Sequence, residues 1–175
     1  MYNPYNEHQD CHEFLAIMLD RLHDELKLIY VPPEEKNKVN DQWREVSIKS
    51  QKIVLNNDHS NIQPSLIRDI FGGVLRNEFH VERSKQISVT FEPFFILNLE
   101  ISRCEDLESC LQSFFNEKRI NDYKVDGVEV RAVHQTQFER LPTNLILQLK
   151  RFIYRDRMIK MKEDIYFPDV LKIHD

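Results

Sequence analysis

A cysteine, two histidines and two carboxylates lie close together near the start of the chain, at positions 8–13. A thiol beside an imidazole is the pair that a cysteine hydrolase uses as nucleophile and general base. Neighbouring residues of a helix, however, point about 100° apart, and only residues three or four apart share a face. If this segment is helical, Cys11 and His12 cannot form such a pair.

The apolar residues of this region recur three or four positions apart, which is the spacing of an amphipathic helix. They are Cys11, Phe14, Leu15, Met18, Leu19, Leu22, Leu26 and Ile29. The pattern predicts a helix that Pro32-Pro33 stops, with Cys11 on its buried stripe. A reactive thiol needs an electropositive and partly open site, so packing is the preferred role of Cys11. A nucleophile in an unrelated thiol enzyme is the alternative.

The first turn of this helix has a second possible use. Asp10 is placed to cap the N-terminus, where the helix dipole favours an anion. His8 and Gln9 stand just before it and carry free polar groups. A helix start of this kind can hold an extended peptide by side-chain hydrogen bonds.

The composition describes one globular domain. The chain has 175 residues, 41% of them hydrophobic, and a net charge of -5, which gives no reason to expect nucleic-acid binding. Its three cysteines (Cys11, Cys104 and Cys110) suit a reducing compartment and form no metal-binding spacing. Because no apolar run approaches a membrane span and no signal peptide follows Met1, we expect an intracellular protein without membrane contact.

Capping residues and β-branched runs predict the elements of the first half. A polar insertion covers about residues 31–64, solvated and partly disordered, with a weak edge strand at 43–48 and Trp43 pinning it to the body. Ser65 caps a short helix over 66–71, which Gly72-Gly73 ends through a positive φ. Strands over 74–82 and 86–101 pair antiparallel around a turn at 83–85, with an irregularity near Pro93.

The second half predicts one more helix and further strands. Asp106 is the expected N-cap of an amphipathic helix over 107–115. Asp126-Gly127 indicates a hairpin joining strands at 123–125 and 128–130. The apolar run 145–149 is expected to form a central strand buried on much of both faces.

Several of these segments resemble motifs of one enzyme family. Residues 8–15 resemble the Gln-Gln-Asp-Ala-His-Glu-Phe-Leu box of the ubiquitin-specific proteases, cysteine peptidases that cut the bond after the C-terminal glycine of ubiquitin. Other stretches are similar to later motifs of that family and stand in the same order: they are 71–76, 92–99, 138–152 and 165–168. Each motif alone is moderately specific, whereas the ordered set is a strong match.

The resemblance implies a fold and a partner. The fold would be α+β, part of the papain-like ubiquitin-specific protease fold, with a thumb helix and antiparallel fingers and palm strands. Residues 1–175 would form part of that catalytic domain. The partners would be ubiquitin and ubiquitinated proteins, with His8 and Asp10 contacting the arginine-rich ubiquitin tail. The helix start and strand 145–152 would then form two walls of a groove for that tail.

The sequence departs from the family in two ways. Many members hold a zinc ion at the fingertips with two Cys-x-x-Cys pairs, and this sequence has no cysteine near 76–88 or 123–131. We therefore expect no metal and no cofactor, and the pattern is most similar to the subgroup of ubiquitin-specific protease ten. The sequence also contains neither the Asn-Thr-Cys-Tyr type box of the nucleophile nor the Gly-His-Tyr box of the base, so it offers no catalytic residue.

These features predict part of a deubiquitinating cysteine protease that is inactive by itself and is located in the cytoplasm, with the nucleus as a second location. A non-catalytic ubiquitin-binding module is the alternative. If the chain is a piece of a larger domain, apolar faces within 14–29 and 145–149 should remain exposed.

Overall fold

The structure is a computed structural model that describes residues 10–31, 44–48, 51–56, 63–82, 86–102, 104–125 and 127–173. It has the predicted α+β class. The helices are α1 (Cys11–Leu26), α2 (Leu66–Phe71) and α3 (Leu107–Phe115). The strands are β1 (Arg44–Ile48), β2 (Gln51–Asn56), β3 (Gly73–Val81), β4 (Gln86–Phe94), β5 (Ile96–Glu100), β6 (Lys118–Val125), β7 (Val128–Arg140), β8 (Ile146–Lys150), β9 (Phe152–Arg155) and β10 (Arg157–Lys160).

These strands form three sheets. The largest has six strands in the order β1-β2-β4-β3-β7-β6, antiparallel except for the parallel pair β2 and β4. A parallel pair joins β5 to β8, and β9 pairs with β10 in a hairpin. The core lies where α3 packs on β5 and the base of the large sheet, around Leu99, Ile101 and Cys110.

Helix α1 forms where expected, but it buries only part of the predicted apolar stripe. It ends at Leu26, before the prolines, and Leu19 is its buried residue. Cys11 is exposed, so the prediction that it lies on a buried stripe is wrong. The helix turns the side that carries Leu19 and His23 towards α2 and the end of β4. Phe14, Met18 and Leu22 of that stripe stay exposed.

Helix α2 has the predicted bounds and its predicted cap, because the Ser65 hydroxyl accepts a hydrogen bond from the Arg68 amide at 3.0 Å. The expected positive φ is wrong: Gly72 has φ -78°. The close approach of neighbouring atoms explains why both positions are occupied by glycine. A Cβ at Gly72 would meet the Arg68 carbonyl, and a Cβ at Gly73 would meet the ring of Phe94.

The strand predicted over 86–101 is two strands in two different sheets. β4 ends at Phe94, and β5 begins at Ile96 and pairs with β8 instead. The predicted irregularity is present, since Pro93 lies opposite Val74, where the pairing of β3 with β7 shifts register. The antiparallel pairing of β3 with β4 is confirmed, while its turn at 83–85 lies outside the described residues.

Helix α3 and the following hairpin form as predicted. Asp106 caps α3 in a capping box with Ser109, and Cys110 and Leu111 are buried. Gly127 has φ +80°, as a tight hairpin turn requires. Strand β8 differs from its prediction: it pairs only with β5 among the described strands and is half-buried, ending in exposed Lys150.

The polar insertion adds structure to the large sheet. β1 is the edge strand expected near 43–48, and β2, which was not predicted, joins it to β4. Trp43 and the remainder of the insertion up to residue 62 lie outside the described residues, so its expected role there stays a prediction.

Candidate functional site

The N-terminus of α1 presents a carboxylate. Asp10 has extended backbone angles, and its Oδ1 accepts a hydrogen bond from the His12 amide at 2.8 Å, which confirms the predicted cap. Asp10 is exposed, and this bond uses only one of its two carboxylate oxygens. The other oxygen can accept a hydrogen bond from a cationic partner. His8, the second candidate site residue, lies outside the described residues.

A groove runs beside this helix. His12, Ala16 and Asp20 of α1 line it on one side, and the β4–β5 junction, residues 93–96 with Asn98, lines it on the other. The groove is open to solvent and has a volume of about 330 Å³, at the lower end of the range for ligand sites. We name this cavity the α1 groove.

The wall of the α1 groove opposite the helix is not the strand that the sequence predicted. Strand β8 does not line the α1 groove; it pairs with β5 one strand further on, with Gln148 opposite Asn98. Sequence reasoning missed the 93–98 wall because it treated this stretch as the middle of one continuous strand. Pro93 was the available signal, since a proline in a strand marks an edge or a bend.

Contacts with α2 hold the groove wall in place. His23 Nδ1 lies 2.6 Å from Ser65 Oγ, and the His23 ring packs on Phe95 at 5.4 Å between centroids. Tyr30 donates a hydrogen bond to Asp69 of α2. Burial, followed by the charge of Lys27, lowers the pKa of His23 below its ordinary value, which favours the neutral ring at this contact.

The cysteines do not form a catalytic site with this groove. Cys11 is exposed on α1, while its neighbour His12 faces the groove. Cys110 is buried, and burial together with a hydrogen bond to Cys104 raises the pKa of its thiol to about 12. A thiol with that pKa is almost entirely protonated at neutral pH and is a poor nucleophile.

Comparison with known proteins identifies the family. A family model described as ubiquitin carboxyl-terminal hydrolase matches residues 3–175. The chain belongs to the ubiquitin carboxyl-terminal hydrolase family. This confirms the resemblance drawn from the motifs in the sequence.

Relatives in this family extend over almost the whole chain. Ubiquitin hydrolase B of Dictyostelium discoideum is 33% identical over 181 residues, which cover 94% of this chain and 40% of that protein. Ubiquitin carboxyl-terminal hydrolase 10 of Rattus norvegicus is 28% identical, covering 94% of this chain and 24% of that protein. The chain thus spans less than half the length of the curated relatives it matches.

Solved structures of the family share the fold. The SAGA Ubp8/Sgf11/Sus1/Sgf73 DUB module bound to ubiquitin aldehyde matches with a TM-score of 0.64 and 25% identity, over 91% of this chain and 31% of that chain. The Ubp8-Sgf11-Sgf73-Sus1 SAGA DUB module matches with a TM-score of 0.63 and 23% identity, over 93% and 32%.

The fingers of this family member contain a stack of aromatic rings. Phe79 of β3 stacks on His134 of β7 at 4.4 Å and on Tyr123 of β6 at 5.1 Å, with the rings nearly parallel. The stack joins three neighbouring strands near the end of the sheet that carries the Gly127 turn. In the part of the chain that the structure describes, no three His, Cys, Asp or Glu side chains group as metal ligands would.

A polar cluster lies beside this stack. The Asn77 side chain accepts a hydrogen bond from Thr136 at 2.8 Å and donates one to Glu92 at 3.2 Å, and His134 lies 3.1 Å from the same amide oxygen. Burial, followed by the positive charge of Lys118, lowers the pKa of His134.

A second cavity of about 330 Å³ lies between α3 and β7. Among the described helices, none has the length and hydropathy to cross a bilayer.

Proposed function

We propose that this chain is part of a deubiquitinating cysteine protease that hydrolyses the isopeptide bond after the C-terminal glycine of ubiquitin. The observation that carries the proposal is the α1 groove, with the exposed Asp10 carboxylate at the start of the helix that forms its wall. An extended peptide fits a groove between a helix and a strand junction. The role of this chain is to hold ubiquitin in thumb, fingers and palm elements, and its 1–175 segment is part of the catalytic domain.

Charge supports the choice of partner. A free carboxylate oxygen pairs well with a guanidinium group, because such hydrogen bonds are charge-assisted. Asp10 is therefore assigned to an arginine of the ubiquitin tail, and His8 to a neighbouring contact. Asp20, which lines the α1 groove, adds a second carboxylate on the helix that Asp10 caps. The partners are ubiquitin and ubiquitinated proteins, without nucleic acid or membrane, in the cytoplasm and also the nucleus.

Binding can be tested on the 175-residue chain. Isotope-labelled ubiquitin titrated with the chain should show shifts concentrated in its C-terminal tail. Asp10→Asn keeps the cap, since asparagine caps as well as aspartate, but removes the charge. We expect it to weaken binding roughly threefold to tenfold, because the pair is exposed. Glu25→Gln, an exposed residue of the same helix, should leave the affinity unchanged.

The enzymatic part of the proposal needs a separate measurement. The complete gene product should release the reporter from a fluorogenic ubiquitin amide and lose that activity when its thiols are alkylated, while the 175-residue chain alone should be inactive. Ubiquitin binding without turnover by the complete gene product would instead favour the non-catalytic binding module. Alkylation of Cys11 that abolishes a measured thiol activity would favour the unrelated thiol enzyme.

A further inference from the structure

The charge of this chain is unevenly distributed. Residues 150–162, which we name the basic hairpin, include six of the 24 basic residues and one of the 29 acidic residues. The basic hairpin therefore carries a net charge of +5, whereas the whole chain carries -5. It begins at Lys150, the last residue of β8, and contains β9 and β10, which form a two-stranded sheet of their own.

One face of the basic hairpin is apolar and open. Phe152 pairs with Lys160 and Tyr154 with Met158, so these four side chains share a face. Phe152 is 59% exposed, Tyr154 76% and Met158 66%. The Lys160 ammonium lies 5.6 Å from the Phe152 ring, so a cation borders the aromatic surface.

The positive charges of the basic hairpin are available to a partner. Lys150, Arg157, Lys160 and Lys162 are exposed, and none of them belongs to an ion pair within the described residues. Arg151 is different, because it donates to the Glu163 carbonyl at 2.7 Å. The outer edges of β9 and β10 pair with no other described strand, so their backbone groups can accept an added strand.

We propose that the basic hairpin is a docking surface for an acidic, extended peptide segment of a partner protein. Such a segment would add as a third strand, place carboxylates beside Lys160 and border the Phe152-Tyr154-Met158 face. A third strand would also stabilise the hairpin, since two strands alone are only marginally stable in water. The proposal does not depend on the ubiquitin contact assigned to Asp10.

Length and charge favour a peptide over a nucleic acid. Each strand of the hairpin has four residues, so the surface is only about 13 Å long. Beyond it the remaining chain carries a net charge of -10, which repels a long polyanion at distances comparable to the Debye length of about 8–10 Å. A short acidic segment can bind the basic hairpin without extending over the negatively charged remainder of the chain.

The test is fluorescence anisotropy of a labelled short peptide that alternates glutamate with threonine, measured against the 175-residue chain. We expect it to bind at least about tenfold more tightly than the same peptide with glutamine in place of glutamate, and to weaken as salt rises. The double change Arg157→Glu with Lys160→Glu should reduce the affinity about tenfold or more. Lys124→Glu makes the same type of change on exposed β6 and should alter the affinity less than about twofold.

Hydrogen exchange gives a readout that a damaged fold would not mimic. Added acidic peptide should protect the amides of β9 and β10 and leave those of β6 unchanged, and Tyr154→Ser should lower the affinity while the circular dichroism spectrum is retained. The proposal is overturned if neither peptide binds, if the glutamine peptide binds equally well, or if Lys124→Glu weakens binding as much as the hairpin variant. It is also overturned if a short oligothymidylate binds more tightly than the acidic peptide.

Discussion

His23 and Ser65 form the contact that joins the wall of the α1 groove to α2, with His23 Nδ1 2.6 Å from Ser65 Oγ. Ser65 is 0% exposed, and its hydroxyl also accepts a hydrogen bond from the Arg68 amide. A neutral His23 ring with its proton on Nε2 can accept the Ser65 hydroxyl proton at Nδ1. A short helix of six residues thereby orients the longer helix that carries Asp10.

The pH dependence of stability follows from the burial of two histidines. Burial lowers the pKa of both His23 and His134 below the ordinary histidine value of about 6.5. Just below that pH the unfolded chain binds more protons than the folded chain, so the free energy of unfolding should fall as the pH decreases through this range. Urea unfolding measured from about pH 7 to pH 5 checks this.

Two variants separate the contributions. His23→Gln should flatten part of the pH dependence, and His134→Gln should flatten another part. Charged groups near His23 are Asp20, Asp24 and Lys27 on α1 and Arg68 on α2, and none of them has an ordinary pKa in this pH range. If the double variant shows the same change of unfolding free energy with pH as the wild type, groups other than these two histidines cause the pH dependence.

The approach of Gly73 to Phe94 predicts a specific cost. A Cβ at position 73 would overlap the Phe94 ring, so Gly73→Ala should lower the free energy of unfolding by about 1–3 kcal/mol. Phe94→Leu removes part of the ring and should make the alanine better tolerated. Denaturant unfolding of the two single variants and the double variant gives the coupling energy, and strictly additive effects would contradict the proposed overlap.

The aromatic stack of the fingers predicts resistance to metal removal. Phe79 contacts His134 and Tyr123 on two neighbouring strands, and we expect these contacts to hold the fingertip without a metal ion. A chelator should therefore leave the midpoint of thermal unfolding unchanged, whereas Phe79→Leu should cost about 1 kcal/mol. A clear decrease in the midpoint on chelation would show that a metal ion contributes.

The open stripe of α1 predicts self-association. Phe14 is 67% exposed, and Ile17, Met18 and Leu22 on the same helix are also exposed. Contiguous apolar surface of this kind promotes contact between molecules. Replacing Phe14 and Met18 with glutamate should lower the apparent mass in sedimentation experiments, while Val128→Glu, at an exposed position on β7, should not. Equal effects of the two changes would indicate a general charge effect.

Local signals in the sequence predicted the local structure. Asp10, Ser65 and Asp106 cap the helices as expected, and Gly127 forms the expected turn, because each of these depends on a few neighbouring residues. The motif order also predicted the family. These features need no knowledge of distant parts of the chain.

Features that depend on distant pairing were not predicted. The parallel pairs β2 with β4 and β5 with β8 join segments far apart in sequence, and no local pattern specifies such partners. The exposed position of Cys11 was missed for a related reason, since the spacing of apolar residues identifies a helix face but not its neighbour. The wall of the α1 groove at 93–98 depends on where β4 leaves one sheet and β5 enters another.

The contact assigned to Asp10 can be tested most directly by exchanging charges between the chain and ubiquitin. Asp10→Arg and, separately, ubiquitin with its tail arginines changed to glutamate should each weaken binding in a titration followed by nuclear magnetic resonance. Because the two exchanged charges again attract, combining the two changed proteins should restore a substantial part of the affinity. The contrary result is that the combined proteins bind only as tightly as the sum of the two separate losses in binding free energy predicts. That result would contradict the placement of the ubiquitin tail beside the start of α1.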